Sequence, residues 1–350
     1  MKKFPNEDYA QDLYEHLRAL AKGSINVSIE GAGVHWHCTA AQGDSRCVIH
    51  CFDNFGKGAE YYTSFQRSSE EKATARITSR NDTLAAVLAW LQGETVAQMY
   101  QQFLFVDKRK RELHQIQKDL FRYNPRLHSE AQSWLKHKRG DSYVLHFRTD
   151  DRSCKLSFYS KSEAPDFVFS WDDTALFEFR TKDYAQAAMV LTQWLCDKAQ
   201  PSKMRREYPS LEIGELADYY EQGRPIEGDF LMSWDSIERF YNQYNLSKRN
   251  ERLKVPADVF AFIKNLRAKG FDRTLRAGQS VDLFILSRSR RHGLRLEQPR
   301  LVFGFGEKSL YVQNLLDGWK KETNKMQFPE IKLVPEIEKL LDELESKSID

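Results

Sequence analysis

Hydrophobic and polar positions switch between helical and strand-like spacing along the chain, and the switches outline a first structural unit. Apolar side chains recur at helical spacing over residues 6–22, and Gly23 ends that stripe. Four strand-like runs follow, at residues 34–41, 46–52, 61–67 and 73–78. A continuous apolar stretch at residues 83–91 then predicts a closing helix, with Asn81 or Asp82 as its N-cap.

The same order of elements recurs in the second third of the chain. Pro125 predicts the start of a helix that runs through Trp134 and Leu135. Strand-like runs follow at residues 143–148, 154–159, 167–171 and 176–180, and Asp183 leads into a second closing helix. Both closing helices end in Trp-Leu. We therefore predict a duplicated unit of helix, four strands and helix, in which residues 25–33 have no counterpart in the second copy.

A third, weaker copy is predicted at the end of the chain. It has a helix up to Gly270, strand-like runs at residues 281–286, 294–297 and 301–305, and a last amphipathic helix. The predicted fold is α+β, with tandem small antiparallel sheets of about four strands backed by helices. The predicted division is 1–105 and 124–200 for the two repeats, 106–123 and 201–255 for helical connectors, and 256–350 for the C-terminal unit. Residues 223–228 are predicted to be a loop inside the second connector.

Turn residues set the pairing of the first two strands in each repeat. A hairpin turn at Gly43-Asp44 places His37 opposite His50 and Trp36 opposite Cys51. A turn at Asp150-Asp151 does the same for the second repeat. Because side chains alternate along a strand, aromatic and thiol groups then face the helices and cationic groups face outward. The outward set, extended to the fourth strands, is His35, His37, Arg46, His50, Arg76, Arg80, His146, Arg148, Lys155 and Arg180.

These outward faces suggest an interface for nucleic acid. Few acidic residues share them, Glu178 being the main exception, so Arg and Lys could contact phosphates while Tyr61 or Phe65 stacks on a base. The connector adds a cationic run that includes Lys108, Arg109 and Arg111. A plain solvated sheet remains the alternative, since an antiparallel sheet with one wet face is polar there without any function.

Composition says more about the cellular compartment of this protein than about its activity. The 350 residues include 53 Lys and Arg against 50 Asp and Glu, a balance too even to indicate nucleic-acid binding by itself. Five cysteines are an odd and sparse number for a disulfide framework, which favours a reducing compartment. No apolar run approaches the roughly 18 to 20 residues of a membrane helix, and the N-terminus turns acidic where a signal peptide would be apolar. We expect a cytosolic protein without a membrane partner.

Two groups of residues suggest other chemistry. A dense His/Cys group spans residues 35–51, but the hairpin register sends its His and Cys side chains to opposite faces, so we predict no metal site and no cofactor. Arg109 and His114 have the Arg-x4-His spacing that resembles the motif of HEPN-type ribonucleases. That resemblance covers six residues, and it implies that both side chains meet across two paired helices to act on a ribose 2′-hydroxyl and its phosphate.

The leading hypothesis is a non-catalytic cytosolic protein that binds or senses nucleic acid. Repeated sheet-and-helix saddles are loosely similar to the TATA-binding-protein type of architecture, at the level of the fold only. The first alternative is a scaffold that binds a protein partner or a second copy of itself, with exposed aromatic anchors. Its candidate anchors are Tyr219, Tyr220, Tyr241 and Tyr244. The second alternative is a nuclease centred on His114 or on the three histidines of the first hairpin.

Overall fold

The chain is α+β, as predicted, and its strands form tandem antiparallel sheets. The computed structural model describes residues 5–21, 23–54, 56–138, 142–158, 162–246, 257–280, 283–291, 295–318 and 324–349. These residues contain three sheets, each of five strands in sequential order. The chain divides into two compact units, Met1–Glu212 with two sheets and Ile213–Asp350 with the third. In the described ranges, every helix is too short or too polar to cross a membrane.

The first sheet lies between two helices in sequence. The elements are α1 (Pro5–Leu20), β1 (Asn26–Ala32), β2 (His35–Gln42), β3 (Ser45–Asp53), β4 (Ala59–Arg67), β5 (Glu70–Ile77) and α2 (Arg80–Leu91). The predicted register is confirmed, because His37 pairs with His50 and Trp36 with Cys51. The N-cap of α2 is Ser79, whose hydroxyl accepts from the Asp82 amide, so the predicted cap was placed too late.

The second sheet repeats this order. Its elements, after the short helix α3 (Val96–Gln102), are α4 (Lys108–Tyr123), α5 (Arg126–Glu130), β6 (Gln132–His137), β7 (Tyr143–Arg148), β8 (Arg152–Ser157), β9 (Asp166–Trp171), β10 (Thr174–Arg180), α6 (Tyr184–Leu195) and α7 (Pro201–Glu207). The helix predicted through Trp134 and Leu135 was wrong. That segment is strand β6, in which Leu135 pairs with Leu145 of β7, and cross-strand packing outweighs the local helical preference. The sheet therefore has five strands rather than four, and β6 is the counterpart of β1.

The third sheet belongs to the second compact unit. Its elements are α8 (Leu216–Glu221), α9 (Pro225–Leu246), α10 (Ala257–Ala268), β11 (Arg276–Ser280), β12 (Leu283–Ser287), β13 (Arg300–Phe305), β14 (Leu310–Leu315), β15 (Asn324–Phe328) and α11 (Pro335–Glu345). Helix, five strands and helix thus occur three times. Strands β11, β14 and β15 were not predicted, and residues 295–297 of a predicted strand form a turn. Tyr159, Val281 and Leu294, at the ends of predicted strands, lie outside the described residues.

The predicted loop at residues 223–228 is confirmed only for residues 223 and 224, because α9 begins at Pro225 and includes Gly228. Proline suits the first turn of a helix, whose amide has no partner there. Glycine is needed at position 228 for a packing reason, since a Cβ there would lie 2.6 Å from the Cβ of Tyr219. Gly228 therefore allows α9 to pack closely against α8, and it does not mark a break.

Candidate nucleic-acid interface

The outward face of the first sheet carries a row of side chains that crosses all five strands. Paired positions place Glu30, His37, His50, Tyr62 and Arg76 side by side on β1 to β5. The imidazole centroids of His37 and His50 are 5.3 Å apart, and the Tyr62 ring lies 6.3 Å from that of His50. Carboxylates flank the row, because Glu30 lies 3.9 Å from the His37 imidazole and Glu60 pairs with Arg76 at 2.7 Å. The row is aromatic and close to neutral rather than basic.

Two other predicted site residues of the first sheet remain exposed on this face. His35 lies at the start of β2, and Arg46 lies on β3. Among the described residues, Arg46 has no carboxylate within ion-pair distance. Arg46 is therefore the predicted arginine of this sheet that stays available to a phosphate.

One corner of this face is covered, contrary to the prediction of an open surface. The Asp107 carboxylate is buried against β5, where it accepts hydrogen bonds from the Thr74 amide at 2.9 Å and the Thr74 hydroxyl at 3.1 Å. The hydroxyls of Tyr100 and Tyr143 donate to the same carboxylate at 2.7 and 3.3 Å. Because Tyr143 belongs to β7, this hub joins the two repeats. No sequence pattern signalled it, since its partners are distant along the chain.

Three residues of the predicted interface of the first sheet lie elsewhere. Arg80 is the first residue of α2, and its guanidinium contacts both carboxylate oxygens of Asp12 at 2.9 Å. Asp12 belongs to α1, which packs on the core side of the sheet, so Arg80 does not lie on the open face. Tyr61 and Phe65 are buried in the core, because odd-numbered positions of β4 point inward there. The prediction that either ring stacks on a base was therefore wrong.

The outward face of the second sheet carries Trp134, His146 and Lys155 at directly paired positions on β6, β7 and β8. The indole and imidazole rings are stacked, with centroids 4.9 Å apart and planes 6° from parallel. Trp134 nevertheless remains 42% exposed. Lys155 is exposed and has no carboxylate within ion-pair distance in the described part of the chain. This row combines an aromatic platform with an available cation.

The electrostatic environment of His146 shows which cations surround this row. Burial lowers the pKa of the His146 imidazole below its ordinary value, and the charges of Lys155, Lys136 and Lys138 lower it further. The imidazole is therefore held in its neutral form near pH 7. Lys136 and Lys138 were not among the predicted site residues. Their alternation with Trp134 along β6 was the available signal, and the prediction of a helix there hid it.

The other predicted cations of the second sheet are paired with carboxylates. Arg148 lies 3.4 Å from Asp173, and Arg180 lies 2.6 Å from Asp166. Together with Glu60 in the first sheet, these contacts show that acidic residues are more frequent on the two faces than predicted. Sequence reasoning missed them because the partner carboxylates lie on neighbouring strands or in turns.

The cationic run at the start of α4 is also engaged within the protein. Arg109 contacts Glu112 at 2.8 Å, donates to the Ser162 carbonyl at 3.2 Å and covers the Phe158 ring at 4.2 Å. Arg111 donates to the carbonyls of Val106 and Leu104. Lys108 lies 3.9 Å from Glu112. These contacts hold α4 in place and leave Lys108 as the most exposed cation of the three.

The geometry does not bring Arg109 and His114 together. Arg109 is directed at Phe158, whereas His114 lines a cavity of about 320 Å³ with Lys110, His137 and Tyr143. Burial and the charges of Lys110 and Lys118 lower the pKa of His114. Within the described ranges, no three His, Cys, Asp or Glu side chains are grouped as metal ligands. Among the described residues, the separation of Arg109 from His114 removes the support that their spacing gave to a nuclease, and the alternative centred on the three histidines of the first hairpin stays a prediction.

The anchors proposed for a protein-interaction scaffold are mostly buried. Tyr220 and Tyr241 belong to the core of the second compact unit, and Tyr219 is half-buried. The Tyr220 hydroxyl donates to Asp229 at 3.0 Å. The side chain of Tyr244 lies outside the described residues. The scaffold alternative stays a prediction, without these aromatic anchors.

Comparisons with protein-family models, with curated proteins and with solved structures give no match to this chain. The similarity to the TATA-binding-protein type of architecture therefore stays a prediction about fold.

Proposed function

We propose that this protein is a non-catalytic, cytosolic nucleic-acid-binding protein whose main contact surface is the outward face of the second sheet. The proposal rests mainly on the row of Trp134, His146 and Lys155, which lie at paired positions on three adjacent strands. Lys155 is exposed, and among the described residues it has no carboxylate partner. Lys136 and Lys138 add charge beside the row. A surface with several exposed lysines and an exposed ring suits a ligand with phosphates and bases.

The first sheet takes a smaller part in this proposal. Its arginine at position 76 is neutralised by Glu60, and the rings of His37 and His50 contact each other, so Arg46 and His35 are the exposed groups of the predicted set on this sheet. Arg148 and Arg180 of the second sheet are likewise committed to carboxylates. The proposed contacts therefore involve fewer cations than the whole predicted set, and they are concentrated around Lys155.

The cytosolic setting is supported by the cysteines. All five thiols are free, and four of them are buried in the cores of the first two repeats. Burial raises the pKa of the Cys47 and Cys154 thiols well above the ordinary value, which keeps them protonated and unreactive. Thiols of this kind act as small apolar side chains and need no oxidising compartment.

The test of the proposal is the salt dependence of binding in a Lys155→Ala variant. We expect weaker binding to a single-stranded oligonucleotide and a slope of log K against log salt that is lower by about 0.7 to 0.9 than in the wild type. Lys182→Ala is the matched control, because the Lys182 ammonium is exposed and paired with Glu163 at 2.8 Å. Fluorescence anisotropy over a range of salt concentrations measures both quantities. Equal affinity and equal slope in Lys155→Ala and the wild type would contradict the proposal.

A further inference from the structure

Trp134 has a position that suits contact with a planar ligand. Its strand, β6, is the outer strand of the second sheet, so one side of the residue has no neighbouring strand among the described elements. The His146 imidazole lies parallel to one face of the indole, with centroids 4.9 Å apart. The remaining exposure of Trp134, 42%, is high for such a large ring. The indole is therefore both held in place and partly open to solvent.

Holding the indole in place reduces the cost of binding. A side chain that is already ordered loses little rotamer freedom when a ligand stacks on it. On the first sheet, Tyr62 and His50 are half-buried and stack on each other, and the exposed Phe52 also stacks on His50. Trp134 is the larger ring, 42% exposed against 38% for Phe52, and it shares its face with Lys136 and Lys155, so we choose it as the ring for an incoming base.

The charges around Trp134 favour a chain of phosphates rather than an isolated base. Lys155 lies two strands away in the same row, and Lys136 lies two residues along β6 on the same face. Neighbouring strands are about 4.8 Å apart and alternate residues of a strand about 6.8 Å apart, so Lys155 lies across the strands from Trp134 and Lys136 lies along its own strand. The two lysines therefore add positive charge near the indole in two directions, which suits a chain of phosphates.

We propose that Trp134 is a base-stacking residue and that the nucleic acid bound at this surface is single-stranded. This inference rests on the proposed function and specifies its substrate class. Bases in a duplex are stacked on their neighbours and paired, so their faces are closed to an indole, whereas an unpaired strand offers them freely. A duplex can still contact Lys155 and Lys136 through its phosphates, but it gains nothing from Trp134.

The experiment compares two ligands and four variants of the full-length protein, one of which is the Lys155→Ala variant of the preceding test. The ligands are a fluorescein-labelled uridine oligonucleotide of about 12 nucleotides and a duplex of the same length. Trp134→Ala is expected to weaken binding of the single strand by about 5- to 150-fold and to leave binding of the duplex unchanged. Trp134→Phe, which keeps a ring, is expected to retain most of the affinity. Tyr311→Ala is the matched control, because Tyr311 is an exposed aromatic on the third sheet.

The outcomes separate this inference from the proposed function. If Trp134→Ala binds the single strand as tightly as the wild type while Lys155→Ala binds it more weakly, base stacking is wrong and the proposed function stands. If the wild type binds the duplex and the single strand equally well, the single-strand inference is overturned. If the wild type binds neither ligand at low salt, the proposed function itself fails. Circular dichroism spectra identical to the wild type show that the variants are folded.

Discussion

The first and second sheets have the same interior arrangement and different outer faces. In each repeat an arginine covers the tryptophan of the closing helix. Arg67 lies 4.3 Å from the Trp90 ring, and Arg152 lies 3.9 Å from the Trp194 ring. Both guanidinium groups also donate to a carbonyl just after the closing helix, that of Glu94 or Ala199. The same contact therefore occurs inside each repeat, as expected if the packing around the closing helix restricts which side chains fit there.

The two arginines nevertheless come from different strands. Arg67 is on β4 and pairs with Ser45 of β3, whereas Arg152 is on β8 and pairs with Trp171 of β9. The arginine thus lies on opposite members of two equivalent strand pairs, and in each case its guanidinium lies over the tryptophan. Both repeats share the guanidinium over the indole ring and its hydrogen bond to a carbonyl after the closing helix. The strand that supplies the arginine differs between them.

The outer faces have diverged much further. Across the first sheet, carboxylates stand beside His37 and Arg76, and the corner at Thr74 is closed by Asp107. Across the second sheet, Lys155 stays unpaired among the described residues next to the stack of Trp134 and His146. Solvent-exposed positions accept such changes at little cost in stability, whereas core positions do not. We assign the proposed contact surface to the second repeat because an exposed ring and an unpaired lysine lie in one row there, although Arg148 and Arg180 of the same sheet are paired with carboxylates.

The largest expected effect comes from removing the covered tryptophan of each repeat. Trp194→Ala is expected to lower the free energy of unfolding by about 3 to 5 kcal/mol, because it leaves a large cavity and uncovers a buried guanidinium. The loss for Trp90→Ala is expected to lie at the lower end of this range, because Trp90 packs against fewer aromatic rings than Trp194 does. Urea denaturation followed by circular dichroism measures both. Trp134→Ala, at the exposed ring, is the control, and an equal loss there would contradict the shared interior.

The next effect concerns the hub that closes a corner of the first sheet. Asp107→Ala is expected to lower the free energy of unfolding by about 3 kcal/mol, because the buried Thr74 amide and the hydroxyls of Tyr100 and Tyr143 lose their acceptor. Asp107→Asn keeps one acceptor oxygen and is expected to cost less. Asp173→Asn removes an exposed negative charge of the second sheet and keeps a residue that tolerates the left-handed backbone there (φ 63°), so it should change stability by no more than about 0.5 kcal/mol. Similar losses for Asp107→Ala and Asp173→Asn would show that the buried hub adds no stability beyond that of a surface carboxylate.

The smallest effect is the pH dependence that His146 of the second sheet gives to stability. The pKa of His146 is lowered in the folded protein from the ordinary value of 6.5, so the unfolded chain binds this proton more readily. The stabilising contribution of His146 is therefore complete above pH 6.5 and declines as the pH falls through and below that value. His146→Asn is expected to make the loss of stability between pH 6.5 and about pH 5 shallower. Urea denaturation at several pH values measures this loss.

The cause of that shift can be checked separately by titrating His146 with NMR. Lys155→Ala is expected to raise the pKa of His146 towards 6.5, because it removes one of the charges that disfavour the imidazolium form. Lys182→Ala should leave it unchanged. An unaltered His146 titration in Lys155→Ala would show that Lys155 does not act on the ring, and would weaken the case for their joint surface.

The pairing of the first hairpin could be derived from the sequence because it depends on local information. A two-residue turn at Gly43-Asp44 and strict alternation of apolar side chains leave one register, in which His37 meets His50. The closing helices were equally accessible, since their apolar runs are long and start at polar capping residues. Strand β6 could not be predicted from local information in this way. Its residues look helical by themselves, and only pairing with β7 makes them a strand.

The sequence by itself determined the α+β class, the repetition of its units and the side of each hairpin that faces solvent, because hydrophobic period and turn chemistry are local properties. Tertiary structure alone decided which outward cations stay available. Arg76, Arg148 and Arg180 meet carboxylates from neighbouring strands and turns, and Asp107 closes a corner from a connector 33 residues away in the chain. Electrostatic partners depend on distances in space, which no period along the chain encodes. The character of the candidate surface therefore emerged only from the folded protein.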